Sequence, residues 1–175
     1  SSYVPPELVD KMSENPEAFN MKPIECELTV LFVDVRNFTS ISENLTPPEQ
    51  AELINVYLTT MSEVIRENYR GTLDKYIGDA VMAFWGAPIA DELHAENSVL
   101  AALEMQRQAQ KLNLEFIDKG WPSLKIGVGI NTGLMRVGDM GSNIRRAYTV
   151  MGDAVNLSSR LESLTKIYGV DILIG

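Results

Sequence analysis

Hydrophobic positions along the chain switch repeatedly between a strand-like and a helix-like rhythm. Residues 28–35 form a short run rich in β-branched and aromatic side chains, the pattern of a buried strand. Thr46-Pro47-Pro48-Glu49 then spells a capping box with proline at the first helical position. Leu53, Tyr57, Met61 and Ile65 recur at helical spacing up to Gly71, the expected C-terminal cap. Residues 71–77 and 80–85 read as two strands around a tight Gly78-Asp79 turn. Asp91 opens a long helix carrying Val99, Leu103 and Met105, and Gly120-Trp121-Pro122 closes it. In the following strand Leu124, Ile126, Val128 and Ile130 alternate with Lys125, Gly127 and Gly129, and the glycines leave room for a backbone or a ligand. A second hairpin is expected around Asn131-Thr132-Gly133, then a polar loop over residues 141–146. A helix over 153–168, with an apolar stripe of Ala154, Leu157, Leu161 and Leu164, and a strand over 170–174 complete the chain.

This order predicts an α+β fold, a ferredoxin-like βαββαβ sandwich with an added hairpin and helix. Residues 1–26, with Pro5-Pro6, an acidic helical stretch and Asn15-Pro16, read as an N-terminal connector. Residues 27–175 read as one domain whose C-terminal strand stops abruptly at Gly175, as if cut from a longer parent.

Composition narrows the function classes. With 175 residues and 45% apolar content, the chain suits a single domain with a sizeable core. Its 24 acidic and 15 basic side chains give a formal charge of -9, which argues against nucleic acid as a partner. The apolar runs fall far short of the roughly 20 residues that cross a bilayer, so this segment is expected to make no membrane contact. The start lacks the basic and apolar regions of a signal peptide. A single cysteine, Cys26, excludes an internal disulfide framework and a multi-thiolate zinc site, and the cytoplasm is the expected compartment.

Asp34 lies inside Leu31-Phe32-Val33-Asp34-Val35, and Asp79 between Tyr76-Ile77-Gly78 and Ala80-Val81-Met82. Each carboxylate sits in sequence that should be buried, and burial without a partner costs several kcal/mol. Two carboxylates at neighbouring strand ends are a reasonable cage for Mg²⁺, which takes oxygen ligands and completes its shell with water and phosphates. Taken singly, Asp34 reads equally as a turn cap and Asp79 as a hairpin bend. The segment Val35-Arg36-Asn37-Phe38-Thr39-Ser40 enters a short helical piece whose amides suit phosphate oxygens, or it is an ordinary polar loop. Asn156 and Arg160 share one face of the last helix, either for a common ligand or as a solvated surface. Lys75, among Leu73, Tyr76 and Ile77, is a candidate ligand contact or a side chain snorkelling at a sheet edge. His94, the only histidine, is expected on a helix surface and builds no nucleophile triad. No Gly-x-x-x-x-Gly-Lys-Ser/Thr occurs, so nucleotide chemistry would have to rest on metal and carboxylates.

Three segments together resemble the class III adenylate and guanylate cyclases. They are Phe32-Val33-Asp34-Val35-Arg36-Asn37-Phe38-Thr39, then Lys75-Tyr76-Ile77-Gly78-Asp79-Ala80-Val81-Met82-Ala83, and finally the run Tyr148-Thr149-Val150-Met151-Gly152-Asp153-Ala154-Val155-Asn156-Leu157-Ser158-Ser159-Arg160. The resemblance covers about residues 27 to 174 in the family's order and spacing. It implies that Asp34 and Asp79, with the carbonyl of Val35, bind two Mg²⁺ or Mn²⁺ ions, and that Phe38 and Thr39 contact phosphate. It implies that Asn156 orients the ribose, that Arg160 stabilises charge on the α-phosphate, and that Arg145 is a further phosphate contact. The implied activity is conversion of ATP to cyclic AMP and pyrophosphate, by a homodimer whose sites combine residues of both subunits. Lys75, where guanylate cyclases usually carry an acidic residue, favours adenine. Thr149, where many adenylyl cyclases carry aspartate, is similar to the bacterial and soluble subgroup associated with bicarbonate responsiveness. The residues before 27 resemble the connector by which such domains hang from sensor or membrane modules. The family's further phosphate-binding lysine falls beyond residue 175.

Overall fold

The computed structural model describes residues 22–140 and 147–175. The first strand, β1 (Ile24–Val35), begins three residues before the expected start of the domain. A single helical turn, α1 (Phe38–Ile41), leads to α2 (Pro47–Glu63), and the hairpin β2 (Thr72–Ile77) and β3 (Ala80–Trp85) follows. Then come α3 (His94–Asp118), β4 (Ile126–Asp139), β5 (Tyr148–Met151), α4 (Asp153–Tyr168) and β6 (Ile172–Ile174). The strands form one sheet in the order β2-β3-β1-β4-β5, with β6 running parallel to β4 over Val128 to Ile130. The expected ferredoxin-like α+β architecture is present.

Local chemistry accounts for several of these elements. Thr46 accepts the Glu49 amide through its hydroxyl while the Glu49 carboxylate accepts the Thr46 amide, so both ends of the capping box are closed. The left-handed cap expected at Gly71 falls one residue earlier, while the Gly71 amide donates to the Ile65 carbonyl. The helix passes into a π-turn at Val64–Asn68, and Arg70 takes the left-handed φ of 65°. Gly71 has a packing reason instead, because a Cβ there would lie 2.7 Å from both Ile65 and the buried Trp85 ring. Asp91 accepts from the Leu93 amide and from Asn97, so it builds the turn before α3 rather than capping the helix itself.

Every residue of β1 from Leu28 to Val33 is buried, because β1 is central and covered on both faces. Leu31, Val33 and Val35 join a core with Leu53, Tyr57 and Met61 of α2 and Met105 of α3. Leu28, Val30 and Phe32 face a second cluster with Met82, Phe84, Val137, Tyr148 and Val150. The hairpin expected at residues 131–133 does not form. Residues 126–139 are one strand, because β4 pairs continuously with β1 from Val35↔Ile126 to Ile24↔Val137. The β4–β5 hairpin closes instead through residues 141–146, outside the described residues.

The apolar stripe expected on α4 is half-buried, and its buried positions are Val155, Ser158 and Thr165. Gly127 and Gly129 explain this face. A Cβ at Gly129 would lie 2.2 Å from the Glu162 nitrogen and 2.4 Å from the Ser158 carbonyl oxygen, so the room left by the glycines is filled by the helix backbone and by no ligand. Ser158 donates to the carbonyls of Val30 and Gly129, pinning the helix at that distance. His94 is not a surface residue. Its Nδ1 lies 2.6 Å from the Thr29 hydroxyl, against β1.

Candidate active site

The register of the central strands brings the two candidate carboxylates together. Val33 pairs with Val81, so the Gly78-Asp79 turn at the end of the β2–β3 hairpin reaches the residues just past Asp34. Gly78 takes a φ of 63°, which the tight turn requires and which a residue without a Cβ adopts at little cost. The Val35 amide donates to Asp34 Oδ1 at 2.8 Å and to Asp79 Oδ2 at 3.3 Å. Burial, the Asp79 carboxyl beside it and the charge of Glu162 push the Asp34 carboxyl up to about 8, against the Val35 amide that pulls it down. Tyr57 of α2 lies beneath, its buried hydroxyl without a hydrogen-bond partner among the described residues and its phenol pushed well up by burial and by Asp34, Asp79 and Glu162.

Two half-buried carboxyl groups on one amide, with no cationic side chain paired to either among the described residues, share a proton whose place a divalent cation could take. All-oxygen donors suit Mg²⁺ or Mn²⁺. Among the described residues no cluster of three or more His, Cys, Asp or Glu side chains is arranged to hold a metal. Water and phosphate would therefore complete the coordination shell. If Asp34 is a metal ligand, a cation displaces its proton, and Mn²⁺ affinity is then expected to tighten about tenfold per pH unit between pH 6 and 7 and to level off above about 8. Without divalent ions, stability runs the other way. The folded state holds a proton that an unfolded carboxyl, near 3.9, has already released, so stability falls as pH rises from about 4 through about 8. Calorimetric titration with Mn²⁺ and thermal melts across this range check both signs.

Past Val35, Asn37 adopts a left-handed φ of 54° and turns the chain into α1. Phe38 is half-buried against the core and Thr39 is exposed beside the carboxylate end of β1. Lys75 and Thr149 come together from opposite edges of the sheet, which curls until β2 and β5 meet. Asp74, missed in the sequence reading, joins them: Thr149 donates to Asp74 Oδ2 at 2.5 Å, and Lys75 Nζ lies 3.7 Å from Asp74 Oδ1. Glu162, also missed, is half-buried near Asp34, and burial pushes its carboxyl up. For Asp74 a signal was available, since a carboxylate beside Leu73 in a strand is as conspicuous as Asp34. Asn156 and Arg160 are both exposed on α4, and the side chain of neither bonds to another described residue. Within one chain the structure does not bring them to the carboxylates. Arg145 lies outside the described residues.

Residues 19–172 match the adenylate and guanylate cyclase catalytic domain. Adenylate cyclase 1 of Rhizobium meliloti is 38% identical over 98% of this chain, which spans only 26% of that relative. The adenylyl cyclase CyaB of P. aeruginosa superposes with a TM-score of 0.78 at 39% identity, covering 81% of this chain and 74% of that one. The guanylyl cyclase Cya2 superposes with a TM-score of 0.76 at 38% identity, over 80% and 71% of the two chains. Among the described residues no helix is long and apolar enough to cross a membrane. The chain belongs to the family of adenylate and guanylate cyclase catalytic domains.

Proposed function

We propose that this domain is an adenylate cyclase, converting ATP to 3′,5′-cyclic AMP and pyrophosphate at sites shared between two copies of the chain. The observation that carries the reading is the meeting of the Asp34 and Asp79 carboxylates at the Val35 amide. Two Mg²⁺ or Mn²⁺ ions held by these carboxylates and the Val35 carbonyl would neutralise the triphosphate and acidify the ribose 3′-hydroxyl. Phe38, Thr39 and Arg145 hold phosphate oxygens, and Asn156 orients the ribose so that its 3′-oxygen faces the α-phosphorus in line with the leaving pyrophosphate. Arg160, a planar multi-donor cation, stabilises the charge that builds on the α-phosphate. Lys75 donates to adenine N1 and Thr149 accepts from the 6-amino group. The exposed, unpartnered position of Asn156 and Arg160 supports their use by a second copy. A parent protein with an N-terminal sensor or membrane module belongs to the same reading, supported by relatives much longer than this chain.

Likeness to the guanylyl cyclase Cya2 favours a second reading, with GTP as substrate. Lys75 opposes it, because guanine presents donors at N1 and the 2-amino group where a lysine can only donate. Purified chain with Mn²⁺ is expected to form cyclic AMP and to prefer ATP over GTP in kcat/KM. Lys75→Glu is expected to lower kcat/KM for ATP at least about tenfold. A preference for GTP, or a ratio unchanged in folded Lys75→Glu, would refute the adenine assignment.

A further inference from the structure

We infer that Asp74 sets base preference by holding the Thr149 hydroxyl as a one-way acceptor, so that a nucleotide with an amino group at position 6 is taken and one with a carbonyl is refused. This deepens the adenine reading and rests on it.

The backbone presents Asp74 for this purpose. The β2–β3 register shifts between Leu73, opposite Ala83, and Lys75, opposite Met82, so Asp74 is an extra residue with no partner across the ladder. Such bulges re-aim side chains. Here the bulge buries Asp74 to 6% exposure and leaves the Lys75 side chain 48% exposed. Asp74 then meets Thr149, itself 7% exposed, across the gap between the two edge strands.

A threonine hydroxyl carries one proton and two lone pairs and by itself is indifferent to its partner. It accepts from an adenine 6-amino group or, by rotating, donates to a guanine O6. An ionised carboxylate only accepts. With its proton committed to Asp74 Oδ2, Thr149 has nothing but lone pairs to offer a base. A carbonyl at position 6 then faces a lone pair and is left without a donor in a buried site. Asp74 also lies 3.7 Å from the Lys75 ammonium, which keeps the two base-reading groups together. Burial pushes Asp74 up while Thr149 and Lys75 pull it back, so the same contacts that orient Thr149 also favour the ionised carboxylate. Asp74 touches Thr149 and not the nucleotide, which makes it a positioning residue.

The competing role is purely structural, a tie between the sheet edges, and it predicts a different result. A loosened sheet lowers turnover of both nucleotides by a common factor and leaves their ratio alone. Asp74→Ala, assayed in the whole chain with ATP and GTP, is expected to reduce the ATP/GTP preference in kcat/KM at least about tenfold, with the loss for ATP falling more on KM than on kcat. The same substitution in a Thr149→Val background is expected to change the ratio less than about twofold, because the group it acts through is gone. If Asp74→Ala does not fold, Asp74→Ser, too short to reach Thr149, takes the same readout. An unchanged ratio in a folded Asp74 variant overturns the inference, as does an equal shift with and without the Thr149 hydroxyl. If Lys75→Glu and Thr149→Val also leave the ratio unchanged, the adenine reading itself has failed. If they shift it and Asp74→Ala does not, only the role of Asp74 is lost.

Discussion

Alanine at Asp34 or at Asp79 is expected to abolish cyclic AMP formation at saturating Mn²⁺, to below about a hundredth of wild type, without unfolding the protein. Removing one of the two carboxylate ligands to the ions leaves the other unable to hold both and neutralise the triphosphate, a loss of several kcal/mol of transition-state stabilisation. The Asp79 carboxyl is one of the groups that push Asp34 up to about 8, by sharing a hydrogen bond with it and by its charge, so without Asp79 the Asp34 carboxyl is expected to titrate lower. Melts without divalent ions should therefore show Asp79→Ala losing less stability than wild type as pH rises from about 4 to about 8. Added Mn²⁺ should raise the wild-type Tm by mass action and leave Asp79→Ala unmoved. Retention of a tenth of the activity in either variant would mean that the two carboxylates are not the metal ligands.

Signals that act over a few residues proved legible in the sequence, and signals that depend on distant strands did not. Thr46 and Glu49 satisfy each other across one helical turn, so their pattern is local and the capping box is found as read. Asp34 and Asp79 were readable as buried carboxylates, although they meet only because β1 and β3 are paired in a register that the sequence does not spell out. Asn131-Thr132-Gly133 has the letters of a turn, but Gly133 sits opposite Leu28 in an unbroken ladder, with an added Cβ 3.1 Å from Ala154. Pairing along the whole of β1 overrides the local turn preference. The buried face of α4 was missed because periodicity rules seek large apolar side chains, and a helix seated on glycines needs small ones such as Ser158. Asp74 was visible as a carboxylate in a strand, but its role was not: its partner Thr149 is 75 residues away, and the two meet only where the sheet curls edge to edge.

Mixing two inactive chains, Asp79→Ala and Arg160→Ala, is expected to restore activity to about a quarter of wild type. Asp79 lies in the β2–β3 turn and Arg160 on the exposed face of α4, with no bond from the Arg160 side chain to any described residue. If each site takes its carboxylates from one copy and its arginine from the other, a two-fold dimer of unlike mutants holds one site with both lesions and one with neither. Random pairing makes about half of the dimers mixed, and half of the sites in those are intact, which gives the quarter. The same logic supplies a control. If Lys75 and Arg160 of one site belong to the same copy, Lys75→Glu mixed with Arg160→Ala leaves every site with one lesion and should recover nothing beyond the residual activity of Lys75→Glu. Recovery in the first mixture and not in the second would fix which residues travel together in one subunit. No recovery in the first, with subunit exchange demonstrated by a labelled chain, would mean that Arg160 serves the Asp79 of its own chain, and the shared-site reading would fall.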